Sequence, residues 1–233
     1  MFAILYAIGV RAGDVKYFDY NEDGDISDAD RMNVGKAIPD FYGGITSNFS
    51  YKGFDLSLFG QFSVGGKVMS AWRGVNGSEG TDHLGLALSN VKVNDRGESV
   101  EQYFNVSKEV ANGYWRGEGT SNTNPRPVRI GVHTGYDYDY NVQTSTRYLE
   151  DASYFKLKTV TLGYTLPESV VKKLRVNSLR VYVSADNLLT LTKYSGYDPE
   201  TSFSGSPGDS NYGFDFGLQP VLRTFIFGLN LNF

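Results

Sequence analysis

The residues best suited to chemistry in this sequence form an acidic loop near its start. Residues 19–30 read DYNEDGDISDAD, with oxygen-bearing side chains at loop positions 1, 3, 5, 9 and 12 and Gly24 at position 6. This is the spacing of an EF-hand calcium loop, with aspartate in place of glutamate at position 12. The predicted metal ligands are the side chains of Asp19, Asn21, Asp23, Ser27 (directly or through water) and Asp30, and the backbone carbonyl of Asp25.

This set of ligands suits a hard cation. Oxygen ligands of this kind favour Ca²⁺ over a transition metal. Gly24 would allow the sharp turn of the loop, and Ile26 would pack inward. Because no clear helix flanks the loop, we expect a bound Ca²⁺ to play a structural role and not to operate an EF-hand switch. The alternative interpretation is a solvated acidic turn that holds no metal.

Other chemistry finds no support in the sequence. Cysteine is absent, which excludes disulfides, thiol catalysis and cysteine-ligated zinc. The two histidines, His83 and His133, are far apart and have no nucleophile motif beside them. No glycine-rich string is followed by the Lys-Ser/Thr of a phosphate loop. The net charge of −4 argues against a nucleic-acid partner. We therefore expect a protein that is not an enzyme, with neither catalytic residues nor an organic cofactor.

Aromatic side chains in the segments between strands are candidates for ligand contact. Trp72, Trp115 and Tyr197 could stack on sugar rings. They could equally pack the loops or contact a partner protein, and the sequence leaves these alternatives open.

The composition predicts that β-strands position these residues. Glycine (27 of 233 residues) and aromatic residues (15%) are abundant, which favours β structure over a helix bundle. Five segments alternate between apolar and polar residues with the period of two that is typical of strands. The predicted strands are residues 40–51, 54–64, 154–166, 179–192 and 223–233. A tight turn at Lys52-Gly53 makes a hairpin of the first two.

The third strand breaks this pattern. Lys156 and Lys158 alternate in phase with the apolar residues Val160 and Leu162. Either the lysines lie beyond the apolar band, or a β-bulge near Lys158 shifts the phase. The sequence does not decide between these alternatives.

The C-terminal strand carries the most specific pattern. Its apolar face holds aromatic and aliphatic residues in strict alternation up to the last residue of the chain, namely Phe225, Phe227, Leu229, Leu231 and Phe233. Chain ends usually fray, so a soluble sheet has little reason to keep its pattern to the final residue. A C-terminal strand that ends in phenylalanine resembles the assembly signal of bacterial outer-membrane barrels. We therefore interpret Phe233, Leu231 and Leu229 as that signal.

The connections between the strands alternate in length. Short turns follow the first and third strands, and long stretches, about 71–151 and 194–219, follow the second and fourth. Short turns on one side and long loops on the other are typical of outer-membrane barrels. No apolar run approaches the ~18 residues of a membrane helix, and the mean hydropathy of −0.32 is compatible with a barrel. Polar residues predicted to face the lumen are Asp55, Gln61, Arg180 and Asp186.

Several longer strings carry a family resemblance. In order along the chain they are GDVKYFDYNEDGDISDADR, PDFYGGITSNFSYKGFDLSLFGQFSVGG, YLEDASYFKLKTVTLGYTLP, SADNLLTLTKYSGYDPE and the terminal FGLNLNF. Together they resemble the C-terminal part of a SusC/RagA-type TonB-dependent outer-membrane transporter of Bacteroidota. The resemblance runs from about Gly13 to Phe233.

This resemblance implies an all-β fold: an antiparallel transmembrane β-barrel segment with long extracellular loops, making about five C-terminal strands of a barrel of about 22 strands. It also implies energised import of glycans or peptides across the outer membrane. The implied partners are a SusD-like lipoprotein over the extracellular loops, TonB acting through an N-terminal plug, the barrel assembly machinery and outer-membrane lipid. The expected location is the cell outer membrane.

The sequence departs from the family pattern in its N-terminal part. We find no plug, TonB box or recognisable signal peptide, and we interpret the chain as a truncated gene product or a fragment that is not active alone. The expected divisions are an N-terminal remnant (1–12), an acidic calcium-type loop (13–39) and C-terminal barrel strands and loops (40–233).

Two other architectures remain open from the residues alone. One is a secreted, calcium-binding β-sandwich that binds glycans, which would bury the apolar strand faces. The other is a small self-contained barrel, for which the long stretch 71–151 would have to contain further strands, such as residues 128–133.

Overall fold

The computed structural model describes residues 11–70, 87–93, 96, 98–103, 108–131, 141, 145–200 and 212–233. The chain divides into two compact units. The first comprises Met1–Gly35, Met69–Leu149 and Asp215–Gly217. The second comprises Lys36–Val68, Glu150–Phe214 and Leu218–Phe233.

The second unit is built on a five-stranded antiparallel sheet, in the order β1–β2–β8–β9–β11. Its strands are β1 (Phe41–Tyr51), β2 (Phe54–Val64), β8 (Tyr154–Thr165), β9 (Ser178–Thr192) and β11 (Thr224–Asn232). These are the five strands that the alternating residues predict, and their bounds agree to within a residue. Lys52 and Gly53 at the turn between β1 and β2 both have positive φ angles, 47° and 86°.

The phase question in the third predicted strand is settled by a β-bulge. Phe59 pairs with Thr159 and Gly60 pairs with Leu157, which leaves Lys158 as the extra residue of β8. Beyond the bulge, Phe155 and Leu157 therefore join the apolar face, and Lys156 turns to the polar face opposite Gln61. A bulge reverses which side chains point to each face because it inserts one residue into a period of two.

The apolar face of this sheet is exposed along its strands. In β11, Phe227 is 81% exposed, and Phe41, Phe49 and Tyr51 in β1 are each more than half exposed. Few large apolar side chains are buried in the described part of the chain; Val68 and Tyr148 are examples. A β-sandwich would bury such a face, whereas a barrel presents it to lipid.

The predicted long stretch 71–151 contains regular structure. It holds β4 (Ala87–Val93), β5 (Ser99–Tyr103) and β6 (Val128–Gly131), which form a sheet in the order β5–β4–β6. The strand that the sequence allows near residues 128–133 is therefore present at Val128–Gly131. The helix α1 (Lys108–Gly113) and the 3₁₀ helix Thr146–Tyr148 also lie in this stretch.

The remaining elements are short. The strands β3 (Lys67–Ser70), β7 (Leu149–Asp151) and β10 (Phe214–Asp215) form a small sheet in the order β10–β3–β7. The helix α2 (Glu168–Val171) and the 3₁₀ helix Lys172–Leu174 connect β8 to β9. Among the described residues, no helix is both long enough and apolar enough to cross a membrane.

Candidate functional site

The acidic loop folds as a compact turn whose two ends meet. The backbone N–H of Tyr20 donates to Asp30 Oδ1 over 2.8 Å, so the side chain at loop position 12 lies beside the chain that follows position 1. Gly24 has a φ of 90° and Glu22 a φ of 59°. Glycine adopts such angles without steric cost, which explains its place at position 6.

The last residues of the loop form a capped 3₁₀ helix, Asp28–Asp30. Ser27 Oγ accepts from the N–H of Ala29, and Asp30 Oδ2 accepts from the N–H of Ser27 over 2.7 Å. These reciprocal bonds form a capping box. The backbone hydrogen bond from Ser27 lowers the pKa of Asp30 below its usual value, so this carboxylate stays ionised in mildly acidic solution.

The other predicted side-chain ligands are held by backbone hydrogen bonds within the loop. Asp19 Oδ2 accepts from Gly24 over 2.9 Å, Asn21 Oδ1 from Asp23 over 3.1 Å and Asp23 Oδ1 from Asp25 over 2.9 Å. Each side chain is therefore oriented by the turn that follows it.

One oxygen of this loop lacks a hydrogen-bond partner although it is buried. It is Asp19 Oδ1, at loop position 1. Within the described chain, no lysine or arginine pairs with Asp19, Asp23 or Asp30. A buried, unpaired carboxylate oxygen is costly, so the residues present fit a cation at this position. No group of three His, Cys, Asp or Glu residues in the described part of the chain has the geometry of a metal cluster.

The stem of the acidic loop is fastened to the long stretch that holds Trp115. Asp14, whose side chain is 3% exposed, pairs with Arg126 (Nε–Oδ1, 2.7 Å) and accepts from Asn141 Nδ2 over 2.8 Å. Asn141 also accepts from the N–H of Val15 over 2.8 Å. No sequence pattern indicates this buried network, because Asp14 lies more than a hundred residues from both Arg126 and Asn141.

The three candidate ligand-contact aromatics have different settings. Trp115 packs on the backbone of Gly13, where a Cβ would lie 2.2 Å from the indole ring. Its ring therefore packs the loop, which is one of the alternatives left open by the sequence. Tyr197 is 70% exposed. Trp72 lies outside the described residues, as do His83 and His133.

The polar face of the five-stranded sheet carries the predicted lumen residues. Arg180 on β9 donates to both carboxylate oxygens of Asp55 on β2, over 2.9 and 2.5 Å, and the pair passes above Gly163 of β8. A Cβ at Gly163 would lie 2.4 Å from the guanidinium, so glycine leaves room for the ion pair. Asp186 accepts from Thr159 over 3.1 Å, on the same face.

The residues of the predicted assembly signal lie at one edge of the sheet. Phe233, Leu231 and Leu229 are 82%, 47% and 71% exposed, and β11 pairs with β9 alone in the described sheet. Their exposure on the apolar face agrees with the interpretation. The role in assembly itself stays a prediction.

Comparison with curated proteins gives related sequences, although no family model matches the chain. TonB-dependent receptor P3 of Formosa agariphila is 34% identical over 221 residues, which are 93% of this chain and 19% of the receptor. TonB-dependent receptor SusC of Bacteroides thetaiotaomicron is 26% identical over 219 residues, 93% of this chain and 17% of SusC. The chain thus spans about a fifth of the length of these relatives. Both relatives are named as receptors, which agrees with the expectation from the sequence that the chain is not an enzyme.

Solved structures show the same fold. The RagAB peptide importer in its closed-closed state superimposes with a TM-score of 0.59 at 23% identity, covering 90% of this chain and 19% of the importer chain. Its open-open state gives a TM-score of 0.58. The all-β barrel-segment prediction is confirmed by these neighbours and by the antiparallel sheet. The chain is thus related over more than nine-tenths of its length to TonB-dependent receptors, which confirms the SusC/RagA-like resemblance that its motifs indicate.

Proposed function

We propose that this chain contributes strands and loops to an outer-membrane, TonB-dependent importer of glycans or peptides. One observation carries the proposal: an exposed apolar face lies opposite a hydrogen-bonded polar face across five consecutive antiparallel strands. Lipid against the apolar face and an aqueous lumen against the polar face suit this arrangement, as in outer-membrane barrels. The relatives named as TonB-dependent receptors support it.

The partners of the whole receptor are part of this proposal. The likeness to SusC and to RagAB supports a SusD-like lipoprotein over the extracellular loops and TonB as the source of energy. The exposed edge strand β11 supports recognition by the barrel assembly machinery. The solved neighbour is named a peptide importer, so peptides and glycans both remain substrate classes to be tested.

The membrane part of the proposal can be tested with lipid quenching. Leu229 lies on the apolar face of β11 and Asn230 on the polar face. In the chain refolded into vesicles of brominated phosphatidylcholine, tryptophan at Leu229→Trp should be quenched strongly. The matched variant Asn230→Trp should show much less additional quenching. The fluorescence of the wild-type chain, which holds Trp72 and Trp115, is subtracted from both.

Two results would contradict the placement of the apolar face against lipid. Equal quenching at the two positions would contradict the assignment of the faces. A monodisperse monomer of the wild-type chain in buffer without detergent would contradict a lipid-exposed face.

The partners can be tested by affinity purification. The tagged chain, purified from detergent-solubilised outer membranes, should bring a SusD-like lipoprotein with it; recovery of the chain without one contradicts that partnership.

We also propose that the acidic loop binds Ca²⁺ with a structural role. The buried, unpartnered Asp19 Oδ1 supports this, as does the uncompensated charge of Asp19, Asp23 and Asp30. The side chains of Asp19, Asn21, Asp23, Ser27 and Asp30 and the carbonyl of Asp25 would hold the ion. A bound Ca²⁺ would neutralise the crowded carboxylates and fix the loop.

Calorimetry tests the metal proposal. Titration of the full chain with CaCl₂ should show one binding site, weakened at least about tenfold by Asp19→Asn or by Asp23→Ala, because each removes a charged ligand. Asp28→Asn is the matched control: Asp28 lies in the same loop but pairs with Arg31 over 2.9 Å on the surface. Absence of heat with the wild type, or an equal loss in the control, would remove the site.

A further inference from the structure

Four charged side chains meet on the polar face of the sheet, near the start of β8. Lys156 and Lys158 come from β8, and Asp198 and Glu200 come from the segment that follows β9. We call these four residues the Lys156 cluster. The ammonium of Lys156 pairs with Asp198 and also with Glu200 Oε2 over 2.8 Å, and Lys158 pairs with the same Glu200 oxygen over 2.6 Å.

Both carboxylate oxygens of Glu200 and one of Asp198 accept hydrogen bonds within this cluster. Glu200 Oε1 accepts from Gln61 Nε2 over 3.2 Å, and its Oε2 accepts from both lysines. Asp198 Oδ1 accepts from Lys156 and from the N–H of Glu200, the latter over 2.9 Å. Two positive and two negative charges balance. Burial of these charges still costs desolvation energy, which the ion pairs and the additional hydrogen bonds offset.

The bulge at Lys158 makes this arrangement possible. With unbroken alternation, Lys156 and Lys158 would share a face with Val160, which is the apolar face. The extra residue turns Lys156 to the polar face, opposite Gln61. The bulge therefore places the lysines of β8 where they can pair with Asp198 and Glu200 of the acidic segment.

The acidic segment, residues 194–200, is fixed at its other end as well. Tyr194 is buried, and its ring packs on the backbone of Gly196, where a Cβ would lie 2.3 Å from it. Ser195 donates through its N–H and its hydroxyl to Glu150, over 2.8 and 2.7 Å. The segment thus lies on the sheet as a strap that is fastened at both ends.

The burial of Lys156 depends on this strap. Its side chain is only 2% exposed, and the two carboxylates that pair with it, Asp198 and Glu200, both belong to the strap. Glu200 is also faced by Lys158 and Tyr154 of β8 and by Gln61 of β2. Removal of the strap would return both lysines to water.

We propose that residues 194–200 form a reversible strap over the polar face of the sheet, closed by the Lys156 cluster and opened when its carboxylates lose their charge. The proposal rests on the geometry of this unit and holds whatever substrate the receptor imports. Its direct consequence is that the accessibility of Lys156 reports whether the strap is closed.

Amine labelling tests the strap. The full chain in detergent micelles is treated briefly with an acetylating reagent at pH 8, and each lysine is quantified by mass spectrometry. Lys172, whose side chain is 75% exposed, is the internal standard. In the wild type, Lys156 should react at least about tenfold more slowly than Lys172, because labelling requires local opening. In the double variant Asp198→Asn/Glu200→Gln, Lys156 should approach the rate of Lys172.

Glu168→Gln is the matched control, since Glu168 pairs with Lys172 at an exposed site. This variant should leave the protection of Lys156 unchanged. In it, Lys36, whose side chain is 61% exposed, replaces Lys172 as the internal standard, because the change removes the partner of Lys172. Circular dichroism checks that the double variant keeps its sheet; if it does not, Glu200→Gln alone should still raise the labelling of Lys156 measurably. Equal protection of Lys156 in the wild type and in the folded variants would overturn the proposal, as would rapid labelling of Lys156 in the wild type.

Discussion

The acidic loop and the Lys156 cluster both gather carboxylates, but they balance the charge in different ways. In the Lys156 cluster, Asp198 and Glu200 are neutralised by two lysines of the same chain. In the acidic loop, carboxylates accept backbone hydrogen bonds, and one buried oxygen of Asp19 has no partner. Backbone N–H groups orient a carboxylate but do not cancel its charge.

This difference indicates what each region can do. A cluster that is neutral by itself fastens one part of the chain to another and gains nothing from an added ion. A loop with uncompensated carboxylates would gain from a cation, which is what we propose for the acidic loop. The same residue type thus produces a latch in one place and a metal-binding candidate in the other.

The largest expected effect separates a buried pair from an exposed one. Asp198→Ala should lower the free energy of unfolding by about 3 kcal/mol, because it leaves the buried ammonium of Lys156 without its nearest partner. Urea titration of the chain in detergent micelles, followed by circular dichroism, measures this change. A loss well below about 1 kcal/mol would show that the Lys156 cluster resembles a surface ion pair.

The second prediction concerns the acidic loop. Ca²⁺ at about 100 times its Kd should raise the free energy of unfolding by about 2.7 kcal/mol, because the ion binds the folded loop only. Asp19→Asn should abolish this gain, whereas Glu200→Gln should keep it. A gain from Ca²⁺ that is lost equally in both variants would erase the distinction between the two regions.

The third prediction uses pH. Burial by itself would raise the pKa of Glu200, but the hydrogen bonds from Lys156 and Lys158 outweigh it and hold this pKa below its ordinary value of 4.5. Because the pKa is lower in the folded chain than in the unfolded one, ionised Glu200 stabilises the fold above about pH 4.5. This contribution is lost as the pH falls through the folded pKa.

Comparison of two proteins isolates this contribution. The difference in unfolding free energy between the wild type and Glu200→Gln should be constant from pH 7 to about pH 5 and should shrink at lower pH. A difference that grows on acidification would have the wrong sign for a paired carboxylate.

The smallest effect is expected at the exposed pair between α2 and the helix that follows it. Lys172 donates to Glu168 over 2.9 Å, with both side chains at least 75% exposed. Glu168→Gln should change the free energy of unfolding by no more than about 0.5 kcal/mol, since solvent screens the pair. Added salt should remove most of this change; a salt-resistant loss above about 1 kcal/mol would indicate a buried contact instead.

The strands could be predicted from the sequence because the alternation of apolar and polar residues within each strand reflects the two faces of the sheet. Alternation in β1, β2, β9 and β11 places their bounds correctly to within a residue. The bulge in β8 could be suspected from Lys156 and Lys158, but not settled. A two-residue period is equally disturbed by a bulge and by charges at the end of an apolar band, and only the register with β2 distinguishes them.

The clusters could not be predicted, because their partners are distant along the chain. Lys156 and Asp198 are 42 residues apart, and Asp14 and Asn141 are 127 apart. For Trp115 the sequence leaves ligand contact, loop packing and partner contact open, because it does not show that Gly13 lies under the ring. The spacing of the acidic loop could be recognised because all its oxygen-bearing side chains fall within twelve consecutive residues, 19–30.

The extra residue in β8 has a consequence for finding such strands in other sequences. Residues on each side of Lys158 alternate with the same period of two, but the odd-numbered residues change from one face of the sheet to the other at the bulge. A hydropathy average taken with one fixed phase across Lys158 would mix outward Phe155 and Leu157 with inward Thr159 and Thr161, and the signal would cancel. Transmembrane strands that carry a bulge will therefore escape searches that demand unbroken alternation, and scoring the two halves separately would recover them.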